Sequence, residues 1–386
     1  MNRSCVKNVL IQLLYSRLFM KKICVIFLLV ACFVSCANNE TENCNMFQVA
    51  HIVDMECNLS ELLDSVEYIP LETNDNSLLS GLSKILFIKD YIYASSQQEV
   101  MKFDGNGRFI GKLSKFGNGP QDYYSINDYD IVLRNGNEEI WVGHQNGISC
   151  YDAENFSFLG MIPLGVPVLH FKYLSDNTII IQTSGEYSFC LCDKNGVSRN
   201  YFLPNDPANL SHSLMQFVMS EDGVFNILAG TDEAVCYNEK SDSLELVRYI
   251  NGIDNILTRD DNRIYMEKYG FLEQPRKVSQ DFVNVVTFRK KGNNSILFLR
   301  SGKGEKMLVN RGKGYEWESY DIYPKPTISN NLLEGLDVRY LLTMASCDSD
   351  KSFMMSVPAY VLSGVSVNGQ IIDDEDNPVI VKYKLK

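Results

Sequence analysis

The sequence predicts an all-β fold, a six-bladed β-propeller of four-stranded antiparallel blades whose ring is closed by terminal strands. Three observations predict it. From residue 61 onward, short apolar runs alternate with Gly, Asn and Asp turns. A hairpin landmark recurs at nearly constant spacing, and an unmatched strand stands at each end of the region. Paired hairpins at a period of roughly 40 to 50 residues are the mark of propeller blades.

The blocks follow in order. "KILFIKDYIYASS" precedes "EVMKFDGNGRFIGKLS", and "DIVLRNGNEEIWVGHQ" precedes "GISCYDAENFSFLGMIPL". "FKYLSDNTIIIQTS" precedes "SFCLCDKNGVSRNYFL", and "FVMSEDGVFNILAG" precedes "EAVCYNEKSDSLELVRYI". Each block reads as two hairpins, with Lys-Asp, Asn-Gly, Asp-Asn and Asp-Gly at the first reversal. In the second hairpin, Phe103-Asp104, Tyr151-Asp152, Cys192-Asp193 and Tyr237-Asn238 recur at spacings of 48, 41 and 45 residues. Residues 251–280 read as an excursion between blades. "FVNVVTFRKKGNNSILFLRSGKGEKMLVN" then restores two hairpins, and Gly335 to Leu362 supplies further strands. "VEYIPLET" and "NPVIVKYKLK" have no local partner, so pairing them closes the ring and removes its open edge.

Two glycine clusters stand out. Asp104-Gly105-Asn106-Gly107 reads as a hairpin turn, repeated at Asp193 to Gly196. Gly117, Gly119 and Pro120 follow a fourth strand and read as a structural loop before the next blade. Gly312 and Gly314 open "GKGYEWESYDI", 195 residues after "GNGPQDYYSINDYDI" begins, and read as the same loop four blades on. That reading puts Asp122, Tyr123 and Tyr124, with Tyr315, Glu316 and Trp317, around the channel mouth as candidate ligand-binding residues. The alternative makes Tyr123 and Trp317 packed wedges between blades. His170 joins the candidates because it begins an inner strand, although a lone histidine also suits a structural place.

Other chemistry is excluded by spacing. Gly105, Gly107 and Gly111 miss the dinucleotide frame, and "GKGEK" misses the phosphate-loop frame. There is no nucleophile elbow, no His-Glu-x-x-His and no Cys-x-x-Cys. Asp373 to Asp376 read as a solvated turn rather than a metal loop, so no metal and no cofactor is expected. The net charge of −12 argues against nucleic acid as a partner.

The amino terminus is an address. Lys21 and Lys22 precede an apolar run, Ile23 to Val34, that is too short for an ordinary membrane span but suits a signal peptide. Phe33-Val34-Ser35-Cys36 resembles a bacterial lipobox. Residues 1–35 therefore read as a signal peptide whose true start is Met20, with cleavage and lipidation at Cys36. Cleavage there leaves a product of net charge −17. Residues 36–60 read as a flexible lipidated tether and 61–386 as the propeller. Cys44 and Cys57 are a candidate loop-closing pair, whereas Cys190 and Cys192 suit a mutual disulfide poorly.

The run "FDGNGRFIGKLSKFGNGPQDY", the early "YIPLET" and the closing strand resemble the six-bladed β-propeller lipoproteins of gut Gram-negative bacteria. Those are related in shape to NHL-repeat and TolB-like propellers. The resemblance implies an outer-membrane, periplasmic or surface-exposed protein and no set activity. The expected function is binding of a glycan, peptide or envelope protein at the channel face. The alternatives are a metal-assisted, lactonase-like hydrolase or lyase using channel carboxylates, and a structural scaffold.

Overall fold

Strands buried on one face alternate apolar and polar residues, whereas strands buried on both read as continuous apolar runs. Both kinds occur in this chain. In Thr178–Thr183 the central Ile179, Ile180 and Ile181 are all buried. Ile179 and Ile181 face one apolar cluster and Ile180 faces another. The outer strand Phe158–Pro163 instead alternates half-buried and exposed positions.

The computed structural model describes residues 47–56, 62–79, 81–206, 217–220, 223–228, 230–323, 345–347 and 353–386. Cys36, Cys44, Cys57 and the signal region lie outside the described residues. Six four-stranded antiparallel blades form a propeller ring. Blades one to five span 84–114, 128–163, 168–204, 218–248 and 284–323, with each first strand innermost. Blade six takes Ala345–Cys347, Phe353–Val357 and Val379–Leu385 from the end of the chain and Leu63–Pro70 from its beginning. Val379–Leu385 runs antiparallel to Leu63–Pro70, pairing Val379 with Pro70 and Tyr383 with Val66. The ring is closed by the two strands the sequence left unmatched.

The recurrent Asp or Asn has a single job. Each stands at or beside the end of a third strand and accepts backbone N–H bonds in the turn to the fourth. Asp104 Oδ1 accepts from Asn106 and Arg108, Asp152 Oδ1 from Glu154 and Asn155, and Asp193 Oδ1 from Asn195 and Val197. Asn238 does the same for Lys240 and Ser241, and Asn310 for Gly312. Short polar side chains at these sites mimic a backbone turn and fix the hairpin. The following glycine then meets the blade before it. Gly107 has φ +85°, and a Cβ there would lie 2.1 Å from the Pro70 carbonyl oxygen. Gly196 stands likewise, 2.2 Å from that of Pro163.

One boundary differs from the sequence reading. The segment assigned to a flexible tether enters the fold at residue 47. Phe47–Gln48 pairs in parallel with Ile250–Asn251, and His51–Asp54 adds a fifth strand to blade five beside Glu316–Ser319. Polar composition concealed this, because among the described residues of the segment the deeply buried side chains are Phe47 and Val49. The excursion between blades four and five is helical. Helix α1 (Arg259–Asp281) is broken at Gly270, where φ is 69° and ψ 170°. Its halves fold back on each other. Gln274 donates to Asn262, and Tyr265 Oη donates to Asp281 at 2.9 Å. In one straight helix, residues 262 and 274 would stand about 18 Å apart.

Gly107→Ala should cost at least about 2 kcal/mol, from overpacking against Pro70 and from the left-handed backbone. A thermal melt within a degree of the parent would contradict the close approach.

Candidate functional site

Loop 115–127 links blade one to blade two and is held at many points. Tyr123 N donates to the Lys115 carbonyl and Gly117 N to the Tyr123 carbonyl. Asp122 Oδ2 accepts from Gly119 N at 2.8 Å. A Cβ on Gly117 or Gly119 would lie 2.5 or 2.7 Å from that carboxylate oxygen. These glycines make room for a carboxylate rather than for an unusual φ. Ile126 N donates to the Gln97 carbonyl, and Asn127 Nδ2 reaches the Val168 carbonyl at 2.8 Å.

Within this frame Tyr123 points inward. It is 1% exposed, its Oη donates to the Gln98 carbonyl at 2.9 Å, and its ring meets Tyr151 edge-on at 6.1 Å. It belongs to the apolar cluster between blades one and two. Trp317 is 2% exposed, meets Phe47 edge-on at 5.8 Å and donates Nε1 to the Gln48 carbonyl at 3.1 Å. Both are wedges, which corrects their placement at a channel mouth. Packing required an aromatic at each place, and sequence alone does not show which way a ring turns.

The expected equivalence of the two glycine loops also fails. Gly117 follows a fourth strand, whereas Gly312 and Gly314 lie between the third and fourth strands of blade five. The two stand at opposite ends of their blades' strands. The Tyr-Asp-Ile that follows each falls on a first strand in one case and a fourth strand in the other. Gly312 and Gly314 have φ of +73° and +64°, so these glycines serve the backbone of a tight hairpin. Tyr315 and Glu316 are exposed there, and the Tyr315 carbonyl accepts from Ala50 N and His51 N.

What loop 115–127 exposes is Phe116 and Tyr124, which sequence reasoning half missed. They are 49% and 67% exposed, with ring centroids 5.6 Å apart at 35°. Asn118, Pro120 and Gln121 of the same loop are also exposed. The alternation of Tyr123 and Tyr124 in a bridged segment carried the signal, since neighbours in an extended chain point oppositely.

Beyond the loop, charged groups on the inner strands pair across blades. Lys84 Nζ of blade one lies 2.9 Å from Asp128 Oδ1 of blade two and 2.7 Å from the Tyr129 carbonyl. Asp128 Oδ2 accepts from Phe171 N of blade three at 3.1 Å and lies 3.4 Å from His170 Nδ1. Asp130 repeats the pattern with Lys172 Nζ at 3.0 Å and Tyr173 N at 3.3 Å. Burial works to raise the Asp128 pKa, but Lys84 and His170 outweigh it and hold the carboxyl at about 2. His170 is thereby part of an interblade tie. Among the described residues, no three His, Cys, Asp or Glu side chains gather as a metal site. Cys150, Cys190 and Cys192 are free thiols, and burial pushes those of Cys150 and Cys192 up to about 12.

A family described as a domain of unknown function, DUF4934, matches residues 45–384. The chain belongs to the DUF4934 family. Its fold is similar to that of a candidate exported protein of Bacteroides fragilis NCTC 9343, at TM-score 0.69 and 14% identity, covering 88% of this chain and 99% of that one. Weaker likenesses are to streptogramin B lyase (TM-score 0.43, 12% identity, 83% and 87% covered) and to a protein of unknown function from Bacteroides caccae (0.37, 12%, 64% and 85%). No curated protein matches the sequence.

Two outcomes test this geometry. Tyr123→Ala and Trp317→Ala should each cost about 3 to 5 kcal/mol, as buried aromatics do. Melts near the parent temperature would contradict wedge packing. Lys84→Met strands the buried Asp128 carboxylate and should cost roughly 3 to 5 kcal/mol near neutral pH. The Asp128 pKa is lowered on folding, from 3.8 to about 2, so its stabilisation is present above pH 4 and is lost as pH falls toward 2. The gap between parent and Lys84→Met should therefore narrow over that window. A gap independent of pH would contradict the pairing.

Proposed function

We propose that this protein is a non-catalytic binding propeller of the cell envelope, held at the outer membrane by lipid on Cys36, and that loop 115–127 takes a glycan. The observation that carries this reading is the exposed Phe116–Tyr124 pair on a loop locked by Asp122 and Tyr123. Aromatic faces stack on the apolar faces of sugar rings, and neutral amides such as those of Asn118 and Gln121 suit sugar hydroxyls. The loop pays little ordering cost on binding, because its backbone bonds and its buried tyrosine already fix it. The similarity to a candidate exported protein supports an address outside the cytoplasm. The lipobox-like run before Cys36 supports an anchor. Both fit the lipoprotein, NHL- and TolB-like resemblance.

Paired Phe116→Ala and Tyr124→Ala changes should lower glycan affinity at least about tenfold while shifting stability by no more than about 0.5 kcal/mol, as exposed changes do. The check is a glycan array followed by calorimetric titration of parent and variant. Equal affinities, or a parent that binds peptides and no glycan, would contradict the assignment. Separately, Cys36→Ala should leave the protein unprocessed or free of the membrane fraction. Normal processing with unchanged fractionation would contradict the anchor.

A further inference from the structure

Among the described residues, the hairpin of α1 is the one large element that adds no strand to a blade. Its neck is firmly held: Leu257 N donates to the Val283 carbonyl, Val283 N to the Asn255 carbonyl, and Arg259 pairs with Glu233 at 3.1 Å. Thr258 and Asp261 form a capping box at its start. Its tip is another matter. Phe271 is 52% exposed and Leu272 is 88% exposed, immediately after the Gly270 break. Beside them Lys268 and Lys277 bring their ammonium groups 4.8 and 5.7 Å from the centre of the Tyr269 ring.

The hairpin as a whole, Arg259 to Asp281, carries five cationic and five acidic side chains. Arg263 pairs with Asp260 and Arg276 with Glu273, which leaves Lys268 and Lys277 against Glu267 near the exposed pair. An exposed Phe-Leu pair, a tyrosine and flanking lysines are the composition of a segment that sits in a bilayer headgroup layer. There the apolar groups enter the acyl boundary and the lysines reach anionic phosphates.

The path of the chain supplies the second argument. Phe47 pairs with Ile250, nine residues before the neck begins at Arg259. Ten residues separate Cys36 from Phe47, and the stretch spans at most roughly 40 Å. The first arm of the hairpin rises only about 16 Å. We propose that the Gly270–Leu272 tip docks on the anionic surface of the membrane to which Cys36 anchors the chain. The N-terminal lipid and the tip would then hold the ring at two points. This inference rests on the lipid-anchor reading.

The test uses the intact lipidated protein bearing Leu272→Trp, reconstituted into phosphatidylglycerol-containing vesicles with or without brominated acyl chains. Trp141 and Trp317 are buried and give a constant background. Expected results are co-flotation with the vesicles and loss of L272W emission on bromination, with the loss reduced by Lys268→Glu and Lys277→Glu together. Co-flotation without quenching beyond the parent's would overturn docking and leave the anchor standing. Failure to float would overturn the anchor and docking together. A melt of L272W at the parent temperature confirms that the tip change leaves the fold intact.

Discussion

Burial of apolar side chains between neighbouring blades is the interaction on which the rest of this structure depends. Among the described residues, each of the six apolar clusters spans two adjacent blades. A blade taken alone would expose both faces of its sheet, so each blade's stability rests on its neighbours. The demand passes around the ring and has to be met at the junction of its ends. Leu63–Pro70 and Val379–Leu385 meet it by sharing one blade. Turn glycines such as Gly107 follow from the same demand, because close-packed blades leave no room for a Cβ beneath the preceding blade's carbonyl.

That dependence also sorts the site residues. An aromatic near a blade junction lowers the free energy by entering the interblade cluster, and Tyr123 and Trp317 have done so. The loop around Tyr123 is held rigid as a consequence, and Tyr124 and Phe116 are the side chains left outside. The ion pairs of Lys84, Asp128, Asp130 and Lys172 tie first strands of neighbouring blades where apolar packing thins toward the axis. They are buried charges with partners, which marks them as structural ties before any catalytic use.

The architecture was legible in the sequence because its signals are local. The Asp or Asn at positions 104, 152, 193 and 238 marks one hydrogen-bonded turn, and the turn needs that side chain wherever it occurs. The unmatched ends were legible because a sheet edge demands a partner. The site was less so. "GNGPQDYYSINDYDI" and "GKGYEWESYDI" look like copies, yet their glycines answer different demands, one for a carboxylate and one for positive φ. Which of Tyr123 and Tyr124 is buried depends on Gln98 and Tyr151, which are distant in sequence. The strands at 47–54 were concealed for a related reason. Their partners, Ile250–Asn251 and Glu316–Ser319, lie two hundred or more positions later.

Native-state hydrogen exchange tests the central claim, that ring closure and interblade burial form one cooperative unit. Amides of Leu63–Pro70 and Val379–Leu385 should exchange with the same opening free energy as those of inner strands such as Tyr91–Ser95 and Thr178–Thr183, because opening the closing blade exposes its neighbours. Exchange of the terminal pair at a clearly lower free energy, with the other blades still protected, would show blades that stand without closure and would contradict the account.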